Sequence, residues 1–201
     1  NLTLEDGDFV TVIGGNGAGK STMLNAIAGV WPVDQGQIII GGTDVTKLPE
    51  YKRAKYLGRV FQDPMTGTAA TMEIQENLAL ALRRGDSRTL KAGITKKEHA
   101  KYREMLATLG LGLEDRMTSK VGLLSGGQRQ EHTAALDPKT AAKVLQTTDM
   151  IVNRDNLTTL MITHNMKDAI AHGNRLIMMM DGNIILDIRG EEKKKLTVAD
   201  L

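Results

Sequence analysis

The stretch Gly14-Gly15-Asn16-Gly17-Ala18-Gly19-Lys20-Ser21 satisfies G-x-x-x-x-G-K-[ST] at every fixed position, and it follows the strand-like run Val10-Thr11-Val12-Ile13. The amphipathic Met23, Leu24 and Ile27 continue it as a helix. A strand that turns through glycines into a helix places several backbone N–H groups and the positive end of a helix around one small volume. Such a cradle suits a phosphate chain. Lys20 supplies a point charge for the outer phosphates, Ser21 a hydroxyl for Mg²⁺, and Thr22 stands next to it in the first helical turn. The bland alternative, a glycine-rich turn, does not account for the lysine and the hydroxyl at their fixed places. The segment therefore predicts an α/β nucleotide-binding core.

A second glycine motif lies far downstream, at Leu124-Ser125-Gly126-Gly127-Gln128. Ser125 can cap a helix whose first turn contains Gly126 and Gly127, which makes a second anion site at a helix start. One triphosphate needs only one such cradle. Beside the phosphate loop, this motif resembles the signature of ATP-binding cassette (ABC) ATPases, and the resemblance covers nearly the whole chain. It implies a P-loop NTPase core with a mostly parallel sheet, an antiparallel β edge and a helical signature lobe. It also implies a homodimer in which the signature of one subunit closes over ATP held by the other.

The same resemblance carries roles to further residues. Gln62, in Val60-Phe61-Gln62-Asp63-Pro64, matches the glutamine that reaches Mg²⁺ and the attacking water and senses the membrane partner. Glu131 stands where the family has its general base, Ala135-Leu136-Asp137 resembles the loop that crosses the dimer interface, and His164 matches the histidine that contacts the γ-phosphate. A carboxylate near the γ-phosphate can orient or deprotonate water, and a histidine can donate to the transferring oxygens. The expected catalytic set is Lys20, Gln62, Glu131 and His164, with Ser21 and Gln62 at the metal.

One departure stands out. The family has the rest of a helix, then a buried strand ending in a metal-binding aspartate, and only then the base, yet Gln130 is followed at once by Glu131. Either a segment of roughly 20 residues, enough for a helix and a short strand, belongs between them, or the protein truly lacks that strand and aspartate. The intact flanks favour the first account. An aromatic ring matching the one that stacks on adenine in the family is also missing, since Phe9, Trp31, Tyr51, Tyr56, Phe61 and Tyr102 all lie elsewhere.

Composition limits the remaining classes. With 201 residues, 41% hydrophobic and 25% charged, the chain is ordinary globular material of one-domain size. The expected division is a catalytic core over 1–73 and 131–201 and a helical lobe over 74–130. A net charge of +2 is too small to argue for nucleic acid, and the absence of cysteine excludes disulfides and thiolate metal sites. No apolar stretch approaches the roughly 18 residues needed to span a bilayer. Transport would need a separate transmembrane permease subunit, with this chain peripheral on the cytoplasmic face of the membrane. An ATP-binding switch with little hydrolysis is the alternative. A soluble ABC ATPase of repair or translation fits less well, because neither a tandem cassette nor a long coiled-coil insertion is present.

Locally, 37–45 reads as a hairpin, 49–57 as a helix and Val60-Phe61 as a strand. Thr95-Lys96-Lys97-Glu98 reads as a capping box, Asp137-Pro138 as a helix start, and Asp181-Gly182-Asn183 as the turn of a β-hairpin. The run Lys193-Lys194-Lys195 reads as solvated, the Met178-Met179-Met180 run as packing, and His99, His132 and His172 as surface or helix positions without metal partners.

Overall fold

The computed structural model describes residues 1–60, 67–85, 93–108, 112–126 and 138–201, with 125, 126, 138–144 and 147 described by their backbone alone. Two compact units result: Asn1–Ala26 with Leu136–Leu201, and Ile27–Ala135. Residues 27–73 fall in the second.

In the first unit, β1 (Phe9–Ile13) runs parallel to β4 (Thr159–Ile162) on one side and to β5 (Arg175–Met180) on the other, and β6 (Asn183–Arg189) is antiparallel to β5. All five residues of β1 are buried, as a central strand covered on both faces requires. Alternation then sorts the side chains. Val10 and Val12 pack with Ile177 and Met179 on one face, while Ile13 packs with Leu176 and Ala169 on the other. Each such side chain contributes about 1.5–3 kcal/mol on burial. Thr11 is buried as well, and its hydroxyl is satisfied by the carbonyl oxygens of Ala169 at 2.8 Å and Arg175 at 3.2 Å. Buried Arg175 takes Asp187 through two bonds of 2.7 and 2.6 Å, Asp8 at 3.3 Å and the Thr3 carbonyl at 2.6 Å, tying the N-terminal segment to the sheet.

The β5–β6 turn has Asp181 and Gly182 at φ 48° and 77°, the two-residue geometry whose twist matches the flanking strands. Asn183, expected in the turn, instead pairs with Met180 as the first residue of β6. A bulge between Met178 and Met179 interrupts the ladder. Of the methionine run, Met179 is buried, Met178 half-buried and Met180 exposed, so packing accounts for two of the three. The helices of this unit are α1 (Lys20–Ala28, whose last turn passes into the second unit), α6 (Pro138–Arg154), α7 (Met166–Ala171) and α8 (Gly190–Lys194). Proline at the first position of α6 suits a helix start, where its missing N–H has no intrahelical partner to lose. Asp137 lies outside the described residues.

The second unit holds the hairpin β2 (Ile39–Ile40) and β3 (Thr43–Asp44), then α2 (Glu50–Arg53), α3 (Ile74–Leu82), α4 (Lys96–Ala107) and α5 (Val121–Gly126). Thr95 and Glu98 form the expected capping box at the start of α4. Glu73 and Glu76 form another before α3, which a glutamate at the cap position did not announce. The core is Ile74, Ala79, Tyr102, Leu106 and Met117. Arg53, 2% exposed, donates to the carbonyls of Thr46, Leu48 and Ile27 at 2.7, 2.8 and 2.9 Å.

Three expectations are corrected here. The helix expected over 49–57 is only α2. Val60 belongs to no strand and is 98% exposed, because a β-former needs a paired neighbour and none is offered among the described residues. Lys193 is not solvated but buried in α8, where its ammonium is met by the carbonyl oxygens of His172 and Gly173.

Candidate nucleotide-binding site

The loop between β1 and α1 leaves the carboxyl end of a central parallel strand, the place where ligands bind open α/β sheets. Its glycines are used for space and for backbone angle. Gly14 has φ 145°, and a Cβ there would sit 2.2 Å from the Met179 carbonyl oxygen. Gly19 has φ 93°, and its Cβ would approach the Gly182 Cα at 3.3 Å. The Gly182 N–H donates to the Ala18 carbonyl at 3.2 Å. The β5–β6 turn thus braces the loop from behind. Sequence reasoning missed this brace, although the glycines at 14, 19 and 182 were its visible trace.

Gly15, Asn16 and Gly17 are exposed at the tip, and nothing stands within 4 Å of a Cβ on Gly15 or Gly17. Lys20 is buried, and its ammonium donates to the carbonyl oxygens of Gly14 at 2.7 Å and Gly15 at 2.8 Å. Ser21 and Thr22 present exposed hydroxyls in the first turn of α1. These residues fit a magnesium triphosphate. The tip is open, a cation is already held at its base, and two hydroxyls are free to face a metal.

His164 joins the same edge of the sheet. Ile162 pairs with Val12, and the Thr163 N–H donates to the Val12 carbonyl at 3.3 Å, so the residue after Thr163 emerges beside the start of the loop. The His164 side chain is exposed. Asn165 caps α7 by accepting the Lys167 N–H at 3.0 Å, and its own N–H goes to the Thr163 hydroxyl at 3.1 Å. The structure therefore brings together Gly14, Gly15, Asn16, Gly17, Ala18, Gly19, Lys20, Ser21, Thr22 and His164. Ser125 and Gly126 end α5 in the second unit. The expected helix start at Ser125 is corrected: the Val121 and Gly122 N–H groups bond to the carbonyls of Met72 and Ala70, and the helix begins at Val121. Gln62, Gly127, Gln128 and Glu131 lie outside the described residues.

Beside the loop opens a cleft of about 630 Å³, lined by Leu2, Gly19, Thr22, Met23, Met179 and Ile184 among others, none of them aromatic.

The ABC transporter family matches residues 1–145 of this sequence. The chain belongs to the ABC transporter family. Its place there is with the ATPase subunits of transporters. A tyrosine transport ATP-binding protein from Clostridioides difficile (strain R20291) is 44% identical, with all of this chain and 87% of the relative covered. That identity extends over 219 aligned positions against 201 residues, so at least 18 positions of the relative have no counterpart here. Among solved structures, the ADP conformation of MJ1267, an ATP-binding cassette of an ABC transporter, superposes with a TM-score of 0.75 at 27% identity, covering 99% of this chain and 87% of that one. The dimeric post-hydrolysis state of the cassette MJ0796 with ADP and Pi gives 0.73 at 27%, covering 94% and 88%. This ABC cassette binds ATP. None of its described helices is long and apolar enough to cross a membrane.

Proposed function

We propose that this cassette binds ATP with Mg²⁺ on the loop Gly14–Thr22 and hydrolyses it within a homodimer that drives a separate transmembrane permease from the cytoplasmic face. The observation that carries this reading is the buried Lys20 ammonium at the base of a loop whose tip is open. Backbone N–H groups of the loop and the positive end of α1 bind the phosphates, and Lys20 turns from its carbonyls to the phosphate oxygens. Bound Mg²⁺ supplies neutralisation of the phosphate charge, with Ser21 and Gln62 as its protein ligands. Glu131 takes the proton of the attacking water, and His164 donates to the transferring oxygens. Ser125, Gly126, Gly127 and Gln128 close over the nucleotide of the second subunit. Glu131→Gln removes the base and leaves the cradle, so with ATP and Mg²⁺ it should accumulate as a nucleotide-bound dimer on sizing; a variant that stays monomeric would count against the shared site.

A second reading is a cassette that closes on ATP and turns it over slowly. It is favoured by the sheet edge. Among the described residues β4 has no neighbour beyond β1, and its four residues are only half-buried. The positions of the relative without a counterpart here, at least 18, are close in number to the roughly 20 residues that the order of motifs lacks between Gln130 and Glu131. Intact mass and peptide mapping across that junction separate the two. Extra residues there favour the fast enzyme, and a mass matching the 201 residues favours the slow one.

A further inference from the structure

We propose that Lys193 is a positioning residue for His164, acting through α7, whose far end it grips from α8. The inference rests on the reading that His164 serves the triphosphate. Helix α7 has six residues, too few to be stable alone. Its placement comes from the packing of Met166, Ala169 and Ile170 against the core and from what holds its ends. At the N-terminal end stand Thr163, His164 and Asn165, tied to β1 by the Thr163–Val12 bond. At the C-terminal end, Lys193 donates to the carbonyl oxygens of His172 and of Gly173, the latter at 3.0 Å. His172 Nδ1 lies 2.5 Å from a carboxylate oxygen of Asp149 on α6, a second tie at this end of the helix. Thr11, from the strand that leads into the phosphate loop, donates to Ala169 within α7. Gly173 has φ 74°, and a Cβ there would stand 2.3 Å from the Phe9 carbonyl oxygen, so this end of the helix has no slack.

The lever is short and stiff. Six residues span about 9 Å, so a tilt of roughly 10° about the His172 end moves the His164 end by about 1.5 Å. Displacements near 1 Å can cost about 100-fold in rate when they fall on a reacting geometry. The grip is also kept against stability. Burial lowers the Lys193 pKa to about 8, with Asp149 opposing the shift, which is the signature of an ammonium the fold would rather not enclose. A lysine needed only for packing has no reason to be charged there.

The test uses the full chain with Lys193→Met and Lys193→Gln, the second retaining amide donors should the first not fold. Nucleotide affinity is read with a fluorescent ATP analogue, turnover by steady-state hydrolysis, and the His164 ring by its ¹³Cε1 resonance. Expected for folded Lys193→Met are affinity within about 2-fold of the parent, kcat lower by about 10- to 100-fold, and a shifted His164 resonance. Added to His164→Ala, the change should cost less than about a further 2-fold. Parental kcat with an unmoved resonance, or a loss that simply adds to that of His164→Ala, would overturn the proposal. If His164→Ala itself leaves kcat unchanged, the role given to His164 fails instead, and the resonance still decides whether Lys193 sets its position.

Discussion

The ammonium of Lys20 lies 2.7 Å from the carbonyl oxygen of Gly14, so the cation that the sequence assigns to the triphosphate is bonded to its own loop. Lys20 then has two tasks, keeping the loop shaped before ATP arrives and meeting the phosphates afterwards. Lys20→Ala should therefore fail at both. Charge-assisted hydrogen bonds contribute about 1.5–3 kcal/mol each, so losing those to phosphate should weaken ATP binding by about 10- to 100-fold or more. Loss of the bond to the Gly14 carbonyl should lower the melting temperature as well, whereas the Gly15 carbonyl keeps the Ala18 N–H at 3.3 Å. Lys20→Arg should restore little affinity, because a planar fork does not replace a point charge at this spot. Titration calorimetry with ATP and Mg²⁺ checks the affinity; an unchanged Kd for Lys20→Ala would remove the site assignment.

The glycines of the loop make a graded comparison. At Gly14 a Cβ meets a backbone oxygen at 2.2 Å and the φ of 145° is unfavourable for any L side chain. At Gly17 the φ is 83°, but space around the Cβ is open. Gly14→Ala should cost about 2–4 kcal/mol, since backbone of β5 must move, and Gly17→Ala about 1–2 kcal/mol from the left-handed angle alone. Urea unfolding of the two variants measures the difference. Equal midpoints would mean that the β5–β6 hairpin does not brace the loop.

What the sequence made legible was what local chemistry determines. The phosphate loop, the capping box at Thr95 and Glu98 and the turn at Asp181-Gly182 each depend on a few adjacent residues, and the structure has all three. Burial of charge was illegible. Arg53, Arg175 and Lys193 are charged residue types usually found at the surface, yet each is enclosed because carbonyls or carboxylates converge on it, some nearby in the chain, as Thr46 is to Arg53, and some distant, as Thr3 is to Arg175. The three lysines at 193–195 could not show which one faces inward before the angle of α8 was known. Val60 failed in the opposite direction, its β preference finding no paired neighbour among the described residues.

Glu98 gives a titration with a definite sign. The Arg83 guanidinium at 2.6 Å, then the N–H and hydroxyl of Thr95, favour its charged form and lower its pKa from 4.5 to about 2. A depressed carboxylate stabilises the folded chain fully above the unfolded pKa, and the contribution is lost as pH falls from about 4.5 through about 2. The start of α4 should therefore loosen only in strong acid. The Glu98 side-chain ¹³C resonance should titrate with a midpoint near 2, and Arg83→Ala should raise that midpoint without restoring 4.5, because the bonds from Thr95 remain. A parental midpoint above 4 would show that the pair does not persist in solution.

Lys193 should give a dependence of the same sign at the alkaline end, there as a penalty relieved rather than a stabilisation gained. Its folded pKa is about 8 against an ordinary 10.5, so between these values the unfolded chain holds a proton that the folded chain has released. Unfolding free energy then rises with pH through this window, and below about 8 the full penalty of enclosing the charge is present. A shift of this size corresponds to about 3 kcal/mol in total. The comparison is a difference between parent and Lys193→Met at each pH, which isolates the contribution of this one group. Measured by urea unfolding at pH 7.5 and 9.5, the parent should gain about 2 kcal/mol on the variant. A constant difference across that interval would mean that Lys193 titrates as a solvated lysine and that its contacts with the carbonyls of His172 and Gly173 do not hold it out of water.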